Sequence, residues 1–306
     1  MVEKVAKIWM DGELVNWDDA KVHVLTHTLH YGLGAFEGIR AYKRADGATT
    51  VFRLREHIER LLDSCKLCHL KSRYSHDDFN RACVDLLRQN RLDEAYLRPM
   101  IYIGEGAMGV YAPDNPIRAF IVAYRWGAYL GTEALATGIR VKISSWQRHH
   151  ITVSLAKAKT MGQYTNSVLA KAEAKLAGYD EAVLLDTQGY VSEGSGENIF
   201  IVKKGRLVTP PLSGSILAGI TRDTVLTLAR EEGIPTVEDR ITRDELYLAD
   251  EAFFTGTAAE VTPLREVDDR AIGDGKVGPV TKRLQARYFD VVKGSDNHHP
   301  EWHTRV

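Results

Sequence analysis

The chain has 306 residues, 44% of them hydrophobic, and carries 40 Lys and Arg against 41 Asp and Glu, a net charge of −1. That apolar content suits folded cores and about two domains, while the balanced charge excludes a global field that would draw the protein to nucleic acid or an anionic membrane. No apolar stretch reaches the roughly 20 residues of a spanning helix, and MVEKVAKIWMDGE lacks an apolar core of signal-peptide length, so a cytoplasmic protein acting on small molecules is expected.

Residues 7–10, the Asp11-Gly12 turn and residues 13–15 predict an antiparallel hairpin. His23, His27 and His30 have spacings of four and three that could line one helical face. No acid or cysteine beside them completes a metal shell, so packed or hydrogen-bonding histidines are expected. Residues 52–70 have amphipathic helical spacing; Cys65 and Cys68 spell CxxC on its apolar stripe and read, with Cys83, as reduced thiols in the core. A second helix, 76–90, opens with Ser75 and Asp78 at capping-box spacing. Strands near 98–103 and 119–124 flank the Gly- and Pro-rich loop EGAMGVYAPDNP. The glycines of GAYLGTEALATG make residues 127–138 the expected linker between a small domain, 1–126, and a larger one, 139–306.

Beyond the linker the spacing predicts a strand over 139–146 and a helix over 165–177 stopped by Gly178. A hairpin over 181–201 turns at Thr187-Gln188-Gly189, and a second turns at Lys204-Gly205. Thr221 is placed as the cap of a helix ending at Gly233, Thr242 and Glu245 form a capping box, and 280–292 is the last helix. Strands joined by tight hairpins with helices interspersed argue for α+β over a doubly wound sheet, and no GxGxxG follows a strand. The C-terminal HHPEWH reads as a solvated tail.

The stretch EAVLLDTQGYVSEGSGENIFI carries one acid, Glu193, into a place lined by Gly194 and Gly196, where backbone can approach a ligand. Imine chemistry needs a lysine able to lose its proton. Lys157, Lys159, Lys171 and Lys175 are near, the last two on a helix face that reads as solvated. Lys159 precedes Tyr164, which could hydrogen-bond a cofactor phenolate. Leu217-Ala218-Gly219-Ile220-Thr221 leads into a helix start, a competent phosphate cradle as well as an ordinary capped helix. Thr255-Gly256-Thr257-Ala258 is a second small-residue turn, and Arg60 on the first helix could add fixed charge. This set suits pyridoxal phosphate, with one of the lysines, Lys159 among them, on its aldehyde and Glu193 at its ring nitrogen. A non-catalytic protein binding a phosphate ligand at the Gly219 helix start is the reading of a different class.

Several stretches carry a resemblance over roughly 8–289: HTLHYGLGAFEGIRAY, FRLREHIERLLDS, YLRP, WGAYLG, AKAKTMGQYTNS, GYVSEGSGENIF, GITRD and ADEAFFTGTAAEVTP. In this order they resemble the branched-chain amino acid aminotransferases, class IV enzymes of the fold type IV pyridoxal phosphate group. The resemblance implies a small N-terminal α/β domain and a larger domain with a barrel-like, mostly antiparallel sheet. It implies Lys159 as the lysine bound to the cofactor, Tyr164 on the phenolic oxygen and Glu193 on the ring nitrogen. Arg60, the Gly219-Ile220-Thr221 segment and Thr257 would hold the phosphate.

For the substrate the resemblance implies a pocket of Tyr31, Phe36, Val110, Trp126 and Tyr129, with Tyr31 and Val110 supplied by a neighbouring subunit. The α-carboxylate would meet Thr257, Ala258 and Tyr96, and Arg98 would receive the distal carboxylate of glutamate or 2-oxoglutarate. The implied reaction is ping-pong transamination of leucine, isoleucine or valine with 2-oxoglutarate, in a homodimer or a hexamer built from dimers. D-amino acid and (R)-amine transaminases and aminodeoxychorismate lyase share the lysine and acid and are the nearest alternatives. YLRP and FEGIR favour the branched-chain group; Tyr111 and the stretch QRHHITVSL depart from its pattern.

Overall fold

The computed structural model describes residues 2–127 and 129–306. The chain divides into two units, one formed by Met1–Trp126, Ala158–Gln163 and Val291–Val306, the other by Gly127–Lys157 and Tyr164–Asp290. The sequence places everything after 138 in one domain; the structure instead returns the segment bearing Lys159, and the C-terminus, to the first unit. Residues 127–138, expected as linker, belong to the second unit and include a short helix.

In the first unit the strands β1 (Lys7–Met10), β2 (Glu13–Asn16), β3 (Gly34–Phe36), β4 (Ile39–Lys43), β5 (Thr49–Phe52), β6 (Ala95–Ile103) and β7 (Ile117–Tyr124) join with a C-terminal strand, His303–Arg305. Their order is C-terminal strand, β5, β4, β6, β7, β1, β2, with β3 paired to β6. The Asp11-Gly12 turn joins β1 to β2 as expected, with Trp9 opposite Leu14. The helices are α1 (His27–Tyr31), α2 (Leu54–Leu67) and α3 (His76–Gln89). Both capping-box bonds of Ser75 and Asp78 are present at the start of α3. Leu54, Ile58 and Leu61 of α2, at helical spacing, share one core with Phe79, Cys83, Leu86 and Leu87 of α3 and with Ile39, Leu97, Ile101 and Ile121 of the sheet. Burial pushes the Cys65 thiol up to about 12, with the Cys68 charge adding to it, so it is inert at neutral pH.

The C-terminal segment is not a solvated tail. Residues 303–305 pair antiparallel with β5, His303 opposite Phe52. Trp302 is buried, its ring edge-on to Phe52 at 5.9 Å, and its carbonyl accepts from Arg53 N. Burial of one indole and pairing of an otherwise open sheet edge outweigh the polarity of the histidines around it.

In the second unit β8 (Ile139–Ile143), β9 (Glu181–Leu185), β10 (Val191–Gly194), β11 (Asn198–Lys203), β12 (Arg206–Thr209), β13 (Thr236–Glu238), β14 (Glu251–Gly256), β15 (Glu260–Val267) and β16 (Arg270–Ala271) form a second sheet. Its order is β10, β9, β8, β15, β14, β11, β12, β13, with β16 on β15. The hairpin pairs are antiparallel, but β8 is parallel to both β9 and β15, and β12 to β13. The helices are α4 (Thr132–Thr137), α5 (Tyr164–Leu176), α6 (Ile220–Glu231), α7 (Arg243–Tyr247) and α8 (Pro279–Lys293), the last running on into the first unit. The strand β9 is buried throughout. Ala182 and Leu184 pack with Ala170 and Ala174 of α5, whereas Val183 and Leu185 join the core of Val141, Ile199, Phe254 and Leu264. This is an α+β architecture, as the hairpin-rich pattern of the sequence implies. No helix among the described residues is long and apolar enough to cross a membrane.

Candidate active site

In the first unit, residues 159–162 run as an irregular strand beside β3. Phe36 N donates to Lys159 O at 3.1 Å, and Met161 N to Gly34 O at 2.9 Å. The Lys159 N–H donates to Ser64 Oγ at 2.9 Å, which ties this segment to α2. The Lys159 amine lies 5.0 Å from the centre of the Phe36 ring. The same ring takes the Arg98 guanidinium at 4.8 Å, and Arg98 is also 5.2 Å from the ring of Tyr96. Tyr96 and Arg98 are two apart on β6 and so share a face. Trp126 stands edge-on to Tyr96 at 4.7 Å. Gly38 makes room for this group, since a Cβ there would fall 1.8 Å from the Tyr96 hydroxyl. The structure thus brings together Lys159, Phe36, Tyr96, Arg98 and Trp126.

Arg60, on α2, forms a two-pronged pair with the buried Glu37, Nε at 2.7 Å and Nη2 at 2.9 Å. Tyr31 and Val110 are exposed. They are linked through His27, whose ring lies 4.5 Å from Tyr31 and whose Nε2 bonds Gly109 O at 2.7 Å. His23 and His30 also engage main chain, at Leu25 N and Val24 O. No group of metal-ligating side chains occurs among the described residues.

In the second unit a register shift between Val191 and Glu193 interrupts the pairing of β10 with β9. Such a bulge re-aims a side chain. The Glu193 carboxylate is buried, pairs with Arg148 Nε at 2.7 Å through Oε1, and accepts from Leu217 N at 3.0 Å and Asn198 Nδ2 at 3.3 Å through Oε2. A carboxylate has about four acceptor positions. These bonds use three and leave one on Oε1 for a further N–H donor. Gly194 is tightly enclosed, with Glu197 Oε2 2.7 Å from where its Cβ would lie, while Gly196 opens onto free space.

Asn198 joins this acid to the start of α6: its Nδ2 donates to Leu217 O at 3.0 Å, and its Oδ1 would lie 1.9 Å from a Cβ on Gly219. Any other residue there would displace the Asn198 amide, and Gly219 caps α6 in extended conformation. Thr221, expected as the cap, is the buried second residue of the helix. The first-turn N–H groups at Ile220 and Thr221 have no acceptor within their own helix. Asn198 stands opposite Thr255, which leads into the turn of Thr257 and Ala258. Thr255 Oγ1 is buried without a hydrogen-bond partner. Tyr164 is half-buried at the start of α5, and Tyr129 lies 5.2 Å from the Lys171 amine.

The remaining lysines are engaged elsewhere. Lys157 donates to Gly214 O and Ile216 O at 3.0 and 2.6 Å; burial lowers its proton affinity, with the Glu193 charge opposing. Lys171 pairs with Glu181 at 2.5 Å, and Lys175 lies 3.8 Å from Asp180. The sequence reading missed Arg148, Asn198, Glu37 and His57, each of which matters through a partner remote in the chain. Asn198, Glu37 and His57 lie inside the matched stretches GENIF, FEGIR and FRLREHIERLLDS, whereas Arg148 lies in QRHHITVSL, which carried no signal.

These donors fit pyridoxal phosphate: a helix start kept open by glycine, an orphaned buried hydroxyl beside a small-residue turn, and an acid with room for a ring N–H. The Amino-transferase class IV family matches residues 34–267. The chain is 54% identical to a branched-chain-amino-acid aminotransferase of Pseudomonas aeruginosa, over 100% of this chain and 99% of that one. A crystal structure of the Escherichia coli branched-chain amino acid aminotransferase superposes with a TM-score of 0.96 at 47% identity, covering 98% of this chain and 99% of the other. The T.th. enzyme of the same name, complexed with N-(5'-phosphopyridoxyl)-L-glutamate, gives 0.93 at 42% identity, with 98% of each chain covered. On the match of its sequence and fold alike, the chain belongs to the class IV aminotransferases.

Proposed function

We propose that the protein transfers the amino group of leucine, isoleucine or valine to 2-oxoglutarate, giving the branched 2-oxo acid and L-glutamate in two half-reactions at one site. The observation that carries this reading is the first-unit cluster: the Lys159 amine and the Arg98 guanidinium both lie within 5.0 Å of the Phe36 ring centre. An aromatic wall of Phe36, Tyr96 and Trp126 accepts an aliphatic chain, and a guanidinium stacked on that wall can receive a distal carboxylate in the other half-reaction.

Pyridoxal phosphate, when bound, would supply an aldehyde for the amino group and an electron-withdrawing ring. Lys159 Nζ would take the proton from the substrate Cα as general base and later return one as general acid. Glu193 holds the proton on the ring nitrogen and is itself held by Arg148, Leu217 N and Asn198. Tyr164 hydrogen-bonds the phenolic oxygen. Arg60, Thr257 and the α6 start at Gly219, Ile220 and Thr221 would hold the phosphate, the last as a helix N-terminus suited to an anion; that a phosphopyridoxyl ligand is bound by the T.th. relative supports the cofactor. Thr257, Ala258 and Tyr96 orient the α-carboxylate, and Tyr129 lines the pocket. Tyr31 and Val110, both exposed, complete the pocket of a second subunit in a cytoplasmic homodimer, alone or within a hexamer.

The test is to mix cofactor-loaded protein with L-leucine, without an oxo acid, and follow the cofactor's visible absorbance. Wild type converts within one turnover, and Lys159→Ala slows that conversion by more than about 10⁴-fold, the upper range for a lost acid–base group together with a lost covalent attachment. Conversion by D-alanine or an (R)-amine but not by L-leucine would refute the substrate assignment and leave the lysine's role intact.

A further inference from the structure

Glu37 follows β3 and its side chain has 0% exposure. A carboxylate so placed is costly unless paired and hydrogen-bonded. Here it accepts Arg60 Nε at 2.7 Å on Oε1, and on Oε2 it accepts Arg60 Nη2 at 2.9 Å, His57 Nδ1 at 2.7 Å and Gly38 N at 3.2 Å. Arg60 and His57 are three apart on α2 and so reach one carboxylate from the same helix face. Burial pulls the Glu37 carboxyl upward, but the Arg60 charge leads the opposing effects and holds it well below the usual carboxylate range. Burial also pushes His57 below its ordinary value, against the pull of Glu37, with Arg60 and Lys159 the cations that face it. His57 is therefore neutral at neutral pH. Because a carboxylate only accepts, the imidazole carries its proton on Nδ1.

One more bond gives this arrangement a direction. Ser64 Oγ donates to Arg60 O at 2.8 Å and accepts from Lys159 N at 2.9 Å. A single hydroxyl joins the main chain of the proposed reactive lysine to that of the proposed phosphate-binding arginine. An arginine on a helix surface otherwise samples many rotamers, whereas a two-pronged carboxylate pair fixes its plane.

We propose that Glu37, oriented by His57, is the positioning residue that sets the Arg60 guanidinium for the cofactor's phosphate, with Ser64 keying that arginine to the main chain of Lys159. This rests on the reading above that Arg60 holds the phosphate. A merely structural pair would affect every ligand of the site alike. A phosphate-positioning pair affects only ligands that carry the phosphate.

The experiment is titration of the full-length apoprotein with pyridoxal phosphate and with pyridoxal, which lacks the phosphate, in wild type, Arg60→Ala, Glu37→Gln, His57→Leu and His57→Asn. Wild type favours the phosphorylated form. Glu37→Gln cuts that preference by roughly ten- to a hundredfold, by analogy with the loss when the outer partner of a metal-binding side chain is removed. His57→Leu lowers it less, and His57→Asn, whose amide N–H can stand where Nδ1–H donates, restores it. Equal weakening of both ligands in Glu37→Gln and His57→Leu, or weakening of neither, overturns the proposal. If Arg60→Ala keeps the preference, the phosphate role of Arg60 fails instead. Should Glu37→Gln not fold, the contrast between the two His57 variants decides the matter.

Discussion

Glu37 in the first unit and Glu197 in the second are glutamates of similar burial, 0% and 5% exposed, whose proton affinities move in opposite directions. For both, burial favours the neutral acid. At Glu37 the Arg60 fork, within 2.9 Å, reverses that preference. At Glu197 burial, then the charge of Glu181, pushes the carboxyl up to about 8, and the Gly196 N–H and Lys171 compensate only in part. Depth of burial therefore does not set the charge of these interior acids; the reach of an arginine does. Glu193 also has an arginine beside it, Arg148 at 2.7 Å. In the reading proposed above Glu193 meets the cofactor itself and Glu37 positions one of the cofactor's ligands, whereas Glu197 has neither role.

The largest effect expected from breaking that contrast is at Arg60. Arg60→Leu leaves the Glu37 charge without its cation and destabilises the apoprotein by about 4 kcal/mol in urea unfolding. Adding Glu37→Leu recovers most of the loss, because an apolar pair of similar volume replaces an uncompensated charge. A single-variant loss under about 1 kcal/mol would mean that the arginine does not govern the acid.

Arg148→Leu is the same operation in the second unit. Glu193 keeps its bonds from Leu217 N and Asn198, so a smaller loss of about 3 kcal/mol is expected. Affinity for pyridoxal phosphate should also fall, because Glu193 loses one of the contacts that aim it. An unchanged affinity would assign Arg148 to stability alone.

Smallest is Glu197→Gln, which reads the contrast through pH. The folded-state value of Glu197 lies above its ordinary 4.5, so its contribution is full below that pH and is lost as pH rises through about 8. The variant should match wild type near pH 4 and exceed its Tm by about 2–4 °C near pH 9. His57 tilts the acid side the other way. Its folded value is lowered, so stability is full above its ordinary 6.5 and declines as pH falls below that value. Parallel slopes for wild type and Glu197→Gln between pH 4.5 and 8 would show that Glu197 does not titrate as described.

What could be read in advance had short-range causes. The Asp11-Gly12 and Lys204-Gly205 turns, the capping boxes at Ser75 and Thr242 and the amphipathic stripe of α2 are each written within a few residues, and all stand where the spacing puts them. Lys159 was one of four lysines by spacing, and only the matched stretches singled it out. Glu193 was legible because glycine crowds around one acid. The cap at Gly219 was misplaced by two residues because threonine is the usual choice, and the reason for glycine there is an asparagine side chain from β11.

The rest depends on contacts between remote segments. Local chemistry in the chain specified helix starts, tight turns, an α+β pattern and the residue types of a pyridoxal phosphate site. Tertiary packing alone decided that residues 158–163 belong with the first unit, that the histidine-rich terminus closes the edge of β5, and that β8 runs parallel to its neighbours. It also decided which interior acids meet a cation, since that partner is whichever one folding brings within reach, and nothing beside Glu37, Glu193 or Glu197 in the chain names it.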